Sequence, residues 1–276
     1  MRRLLSLFCV LSLFVTAAAA AADSKPSTSD TAKSQLLETV LANAGAAKAP
    51  KIDGVLRFDV TAEETTSDGV PHDSKFTAWV NPANFGQRRL QLNPKVVIGF
   101  DGQAAWATIG GKPDTRPQTG LQGAGTLNRL LFPLLLPLSL DQAGVHLGSP
   151  SKATWERNPA LKASLIFPPN FFYSPVMDTN WELFVDPATH RILGAQFTAS
   201  YEYAKVGAEG MRYYVLTWTT VDGLTLPAKL LAVGIDPQGH ESGHVKRINV
   251  TWKKVSGDAS LFLSPQALSA IGEQQQ

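Results

Sequence analysis

The sequence pattern best suited to chemistry is His240-Glu241-Ser242-Gly243-His244, an H-E-x-x-H pattern. On a helix this spacing places two histidines one turn apart, where they bind zinc while the glutamate activates the metal-bound water. Here Pro237, Gly239 and Gly243 interrupt any helix, and strand-like segments flank the five residues. The pattern therefore predicts a hairpin loop, in which adventitious metal binding is favoured over a zinc-dependent hydrolase.

Other patterns with chemical potential point to ordinary surface and turn residues. His72, His146 and His190 lie in polar or turn settings that are typical of exposed side chains. Gly110-Gly111-Lys112-Pro113 lacks the glycine spacing and the following Ser or Thr of a phosphate-binding loop. The sequence also contains no Gly-x-Ser-x-Gly elbow of a serine hydrolase. We therefore expect a protein that is not an enzyme, with no catalytic residues, no cofactor and no metal site.

Aromatic and cationic side chains recur along the predicted strands. The tryptophans each lie on a strand or beside one, which is compatible with packing within a sheet or with contact to a ligand. Arg88 and Arg89 are adjacent on one of these strands. They either form a solvated strand face or meet an anionic head group at the mouth of a cavity.

The stretch from Trp181 to Lys254 predicts a β-meander of four or five strands. Alternating apolar and polar residues give the period-2 pattern of a half-buried sheet, and Asp222-Gly223 suits a tight hairpin turn. In its last strand, the face containing Ile248 is more apolar than the face containing Asn249. A sheet with one polar face is covered on the other face only, so the meander needs an apolar partner.

The amino terminus has the features of a secretory signal peptide over residues 1–22. Arg2 and Arg3 precede an apolar run of 12 residues and then a stretch of small residues. This run is shorter than the ~20 residues that cross a bilayer, and no later stretch is longer, so we expect no transmembrane segment. Residues 23–33 are expected to form a flexible leader, and the mature protein to be periplasmic or secreted.

Cysteine and charge exclude several classes of function. Cys9, the single cysteine, lies in the predicted signal peptide, so the mature chain has no disulfide and no thiolate nucleophile. Loss of Arg2 and Arg3 leaves 23 basic against 23 acidic residues. A chain with no net charge lacks the electrostatic footprint of nucleic-acid binding. We expect one domain, residues 34–276, because single β-rich domains commonly reach this size.

Two helical segments are predicted to cover the sheet. Leu36, Leu37, Val40, Leu41 and Ala44 recur at helical spacing, with Asp30 or Ser34 as a start and Gly45 as an end. Between residues 122 and 140, Thr126 can begin a second helix, which Pro133 and Pro137 break. This second segment is either a core helix on the sheet, a mobile lid over a cavity, or a membrane-touching surface.

Three sequence blocks together resemble the LolA-like family of outer membrane lipoprotein-sorting proteins. They are Ala78-Trp79-Val80-Asn81-Pro82-Ala83-Asn84-Phe85, Phe100-Asp101-Gly102-Gln103-Ala104-Ala105-Trp106, and Leu261-Phe262-Leu263-Ser264-Pro265. The resemblance covers most of the mature chain. It implies an α+β fold in which a strongly curved antiparallel sheet, an incomplete barrel, has its concave face covered by helices and receives acyl chains.

The resemblance implies a periplasmic, non-enzymatic carrier or binding protein for a lipid, lipoprotein or other hydrophobic ligand. Two departures favour a remote member over a true carrier: Asn81 stands where family carriers have an Arg implicated in lipoprotein handling, and the chain is longer around residues 122–150. The alternative is an envelope sensor or protein-interaction domain of the same fold, with lipoproteins or envelope proteins as partners.

Residues expected to line a hydrophobic cavity come from both the sheet and its covering segment. We expect residues 130–140 to lie over the concave face, because their apolar side chains need shelter although the prolines prevent one rigid helix. The sheet residues among them lie in apolar alternations, in which a shift of one residue reverses the face. The predicted lining residues are Trp79, Trp106, Leu131, Leu135, Phe197, Leu216 and Trp218.

Overall fold

A computed structural model describes residues 28–274 apart from residues 117, 143, 175, 178 and 179. The predicted signal peptide and residues 23–27 of the predicted leader lie outside the described residues. Helix α1 spans Thr28–Asn43, so residues 28–33 of the predicted leader are helical. Thr, Ser and Asp are favoured where helices begin, and all three types open this segment. The helix ends as predicted, before Gly45 with its left-handed φ of 75°.

The strands range from two to 15 residues in length. They are β1 (Val55–Thr65), β2 (Pro71–Asn81), β3 (Asn84–Asn93), β4 (Val96–Phe100), β5 (Ala105–Ile109), β6 (Lys112–Pro113), β7 (His146–Leu147), β8 (Ser151–Trp155), β9 (Asn158–Ile166), β10 (Asn180–Val185), β11 (Ile192–Thr198), β12 (Gly210–Val221), β13 (Leu224–Ile235) and β14 (Glu241–Val255).

The described strands form one antiparallel sheet of 14 strands in the order β6-β5-β4-β3-β2-β1-β14-β13-β12-β11-β10-β9-β7. Strand β8 pairs with the part of β9 that β7 leaves open. The pairing of β1 with β14 joins the amino-terminal strands to the predicted meander. Because the two ends of the order do not pair with each other, the curved sheet stays an incomplete barrel. The predicted fold class is confirmed.

Helices and short 3₁₀ turns occupy the connections. Helix α2 (Thr119–Leu131) begins before Thr126, whose Oγ1 donates to the carbonyl of Gln122 inside the helix at 2.8 Å. No helix in the described part of the chain is long and apolar enough to cross a bilayer. The remaining elements are 3₁₀ turns at Ala46–Lys51, Leu138–Asp141 and Ala259–Phe262, and helices α3 (Tyr201–Ala204) and α4 (Pro265–Gln274).

The chain from residue 131 to residue 140 is buried at every position. Leu131 and Leu135 pack into an apolar cluster with β1, β2, β3, β13 and β14. Phe132, Leu136 and Leu140 pack into a second cluster with α1, β9, β10 and β11. The segment covers the inner face of the sheet as predicted, and it serves both halves of the core at once. Its apolar side chains are therefore not presented on the surface.

Candidate ligand-binding site

A cavity of about 320 Å³ lies between the inner face of the sheet and the end of helix α2. Its floor is formed by β1, β2, β3 and β14. Its roof is formed by the end of α2 and by Pro133 and Leu134, which follow the helix. The apolar lining residues are Val60, Ala62, Phe76, Leu92, Leu130, Pro133, Leu134 and Ile248. The polar lining residues are Glu64, Ser74, Lys75, Arg129, Tyr213 and Lys246. An apolar cavity with polar groups at its edge is the usual form of a small-molecule site.

Strand register explains why most of the side chains on the floor share one face, whereas Lys75, between Ser74 and Phe76, points to the other face. On β1, every second residue points inward, and Ala62 lies opposite Ile248 on β14 and opposite Ser74 on β2. Two residues further along, Glu64 lies opposite Lys246. The floor of the cavity is therefore apolar along most of its length and charged at one end.

The charged end is held by a network of ion pairs and hydrogen bonds. Lys246 Nζ lies 2.8 Å from Glu64 Oε2, and His244 Nε2 lies 2.8 Å from Glu64 Oε1. The other ring nitrogen of His244 lies 3.1 Å from Glu209 Oε2. Burial raises the pKa of Glu64, but Lys246 and His244 lower it more, so its pKa lies below the ordinary value. Glu64 is therefore a carboxylate at neutral pH.

Tyr213 stands beside this network. Burial, and secondly the negative charge of Glu64, raise the pKa of its hydroxyl, so the side chain is neutral. The phenol supplies an uncharged edge between the apolar floor and the charged end of the cavity. The cavity therefore changes from apolar to polar within a short distance, which suits an amphiphile.

The two histidines of the H-E-x-x-H pattern do not meet. His240 is 80% exposed and sits in the turn before β14, with Nδ1 3.1 Å from Asp236 Oδ2. His244 lies within β14 and faces Glu64 and Glu209. The predicted hairpin is present. Gly243, with a φ of 89°, and strand β14 stand where a zinc protease would have a helix. Among the described residues, no group of three or more His, Cys, Asp or Glu is placed to hold a metal ion.

The structure divides the seven predicted lining residues among several places. Leu131 and Leu135 are fully buried in the first core cluster, and Phe197 and Trp218 pack in the second. Their contact with a ligand stays a prediction. None of the seven lines the cavity of about 320 Å³. Leu130 and Leu134, which precede Leu131 and Leu135, do line this cavity. Side chains one position apart in a helical segment point in different directions.

Trp79 and Trp106 lie on the outer face of the sheet. The guanidinium of Arg89 stands 5.6 Å from the ring of Trp79 and 6.0 Å from that of Trp106. Trp106 Nε1 donates to the carbonyl of Phe262 at 2.8 Å, and Arg89 Nη1 donates to that of Leu261 at 3.3 Å. These stacked groups attach the turn Ala259–Phe262 to the sheet. Trp79, Trp106 and residues 261–262, which belong to the blocks that carry the family resemblance, thus contact Arg89 or one another on the side of the sheet away from the cavity.

Leu216 is 56% exposed, since it follows the inward-facing Val215, and it lies at a bulge in strand β12. Val215 pairs with Leu230 and Thr217 with Lys229, so Leu216 has no partner opposite it. An extra residue in one strand exchanges the two faces beyond it. Val215 before the bulge and Trp218 after it therefore both pack inward, although their spacing is odd.

Comparison with known proteins gives a likeness in structure alone. No family model matches the chain, and no curated protein matches it. A LolA superfamily protein from Nitrosomonas europaea superposes with a TM-score of 0.52 at 11% identity, over 85% of this chain and 99% of that chain. The chain has a LolA-like fold. A DUF1329 family protein from Desulfovibrio piger superposes with a TM-score of 0.52 at 9% identity, over 86% of this chain and 99% of that one.

The predicted resemblance is therefore confirmed as a likeness of fold. At identities of 11% and 9%, the likeness shows the fold alone. A shared fold does not fix a function, so the function of this LolA-like chain has to be argued from its own cavity.

Proposed function

We propose that this protein is a periplasmic or secreted, non-enzymatic carrier or binding protein for a lipid, lipoprotein or other hydrophobic ligand. The observation that supports this proposal is the cavity of about 320 Å³ between the inner face of the sheet and helix α2. Its volume falls in the ~300–1,000 Å³ range of small-molecule sites. A single acyl chain or a comparable apolar group is the ligand class that the apolar floor and roof favour.

The orientation of the ligand follows from the distribution of charge. An acyl chain gains free energy when it leaves water for the space beside Phe76, Leu92 and Leu130. Its polar end is expected near Lys246, which faces the cavity at its charged end. This placement leaves the polar end hydrated and the apolar part covered.

Lipoprotein release is not part of the proposal, because Asn81 has a local structural role. Its Nδ2 donates to Gln87 Oε1 at 2.6 Å, and its Oδ1 accepts from the backbone N–H of Ala83 at 2.9 Å. Both bonds stabilise the turn between β2 and β3. Asn81 therefore shapes a turn at the position where the resemblance implies an Arg that handles lipoproteins.

Filling the mouth of the cavity should weaken ligand binding. Ser74 lines the cavity, and its side chain is exposed at the end of the floor. We expect Ser74→Trp to weaken binding of a fluorescent fatty acyl probe by about ten-fold or more, which corresponds to about 1.4 kcal/mol. The bulky indole occupies space that the acyl chain needs. The measurement is a fluorescence titration of the delipidated mature protein.

Ser151→Trp is the matched control, because Ser151 is also an exposed strand residue but does not line this cavity. It should bind the probe like the wild type. If Ser74→Trp binds as tightly as Ser151→Trp while both stay folded, the probe does not enter this cavity. Absence of probe binding to all three proteins would instead favour the envelope sensor or protein-interaction alternative.

A further inference from the structure

A second cavity, of about 470 Å³, lies beside the turn between β2 and β3 and against the opposite side of helix α2. It is distinct from the first cavity, since the two share no lining residue. Aromatic rings and small residues form much of its wall. Its polar side chains include Arg88, Asn128, Asp141 and Gln142.

Arg88 brings a positive charge into this wall. The residue is only 4% exposed, and its Nε and Nη1 have no hydrogen-bond partner. Burial lowers the pKa of Arg88 to about 10, and no neighbouring charge or hydrogen bond offsets that shift. The guanidinium is still protonated at neutral pH. Its one aromatic contact among the described residues is with Phe100, whose ring centroid lies 5.9 Å away.

Two amide side chains that line the same cavity also have a buried polar atom without a hydrogen-bond partner. Gln142 Nε2 is buried without an acceptor, and Asn128 Oδ1 is buried without a donor. The amide of Asn128 is oriented by its Nδ2, which donates to the carbonyl of Phe171. Buried polar atoms without partners are rare in folded proteins, so three such side chains around one cavity need a common explanation.

Asp141, the only carboxylate that the described residues bring to this lining, does not supply the missing partner. Asp141 is exposed at the edge of the cavity and forms no ion pair with Arg88 in the described part of the chain. An unpaired buried cation destabilises a protein, because the charge has lost its hydration and has gained no counter-charge. A ligand that carries negative charge would remove this cost when it binds.

We propose that the second cavity binds an oxyanion, a carboxylate or a phosphate group, through the guanidinium of Arg88. Arginine presents several donors in one plane, which match two oxygens of such a group, and Gln142 Nε2 adds a further donor. The rest of the ligand contacts Phe85, Phe100 and Phe171. The site therefore selects an anion with an apolar portion, and it acts independently of the first cavity.

The test uses decanoate as probe and isothermal titration calorimetry of the delipidated mature protein. Wild type should bind decanoate with a component that Arg88→Met weakens at least ten-fold. Arg88→Met should be at least as resistant to thermal unfolding as the wild type, because the unpaired charge is gone. Arg88→Lys keeps the charge and should restore part of the affinity. Arg89→Met is the matched control, since Arg89 lies on the outer face, and it should bind decanoate like the wild type.

Two further sets of measurements distinguish binding at the second cavity from binding at the first and identify the source of the anion. The Arg88-dependent component should persist in Ser74→Trp, so that failure of one proposal is distinguishable from failure of the other. Decanol, which lacks the charge, should show no dependence on Arg88. Inorganic phosphate that binds with the same dependence on Arg88 would identify a free anion as the occupant, whereas dependence limited to decanoate would identify an acidic amphiphile. Equal affinities of the wild type and Arg88→Met for both anions would overturn the proposal.

Discussion

Replacing Leu135 by Ala is expected to lower the free energy of unfolding by about 2 to 5 kcal/mol. Leu135 is fully buried in the apolar cluster beneath β1, β2 and β14, where truncation leaves a void between the covering segment and the sheet. The loss is a large part of the ~5–15 kcal/mol that stabilises an ordinary domain. Urea unfolding of the mature protein, followed by tryptophan fluorescence, measures the change.

The matched control is Leu216→Ala, because Leu216 is the same residue type at a position that is 56% exposed. It should change the free energy of unfolding by less than about 0.5 kcal/mol. A loss of that small size for Leu135→Ala as well would mean that residues 131–140 are a loosely held lid. The packing on both sides of the segment predicts the opposite.

Phe132→Ala should cost about 3 to 5 kcal/mol of unfolding free energy. Phe132 is fully buried one helical step away from Leu131, and it points to the other half of the core. Its ring meets those of Phe167, Phe172 and Trp181 edge to face, with centroids 5.1, 5.8 and 5.5 Å away. Such aromatic pairs add stability beyond the area they bury.

Tyr201→Ala is the corresponding control, since Tyr201 is an aromatic residue that is 63% exposed. Its contact with Lys205 is at the surface, so we expect a change below about 1 kcal/mol. The same urea unfolding experiment measures both variants. Equal, small effects of Phe132→Ala and Tyr201→Ala would show that the aromatic cluster does not contribute to the core as the structure indicates.

The sequence predicted the sheet well where alternation was unbroken. In β14 the buried residues Ile248, Val250 and Trp252 alternate with exposed ones, as the period-2 pattern requires. The pattern failed for Leu216 and Trp218, because a bulge in β12 places them on opposite faces, and alternation carries no signal for an inserted residue. Alternation therefore predicted the sheet correctly but did not determine which individual residues line the cavity.

The candidate sites were harder to predict, because they depend on register between distant strands. Arg88 and Arg89 are neighbours, yet one is buried beside a cavity and the other stacks on two tryptophans outside. The sequence alone predicts the same two alternatives for both residues, a solvated strand face or contact with an anionic head group. Glu64 and Lys246 lie opposite each other only because β1 pairs with β14, across most of the chain. Local patterns do not encode such contacts.

The central claim, that a hydrophobic ligand occupies the first cavity, is tested most directly by photo-cross-linking. A fatty acid that carries a diazirine near its methyl end would be bound to the delipidated mature protein and irradiated, and the modified peptides identified by mass spectrometry. We expect labels on the cavity segments 60–62, 74–76 and 130–134, and we expect their loss in Ser74→Trp but not in Ser151→Trp. Labels spread over the outer surface, and unchanged in Ser74→Trp, would contradict it.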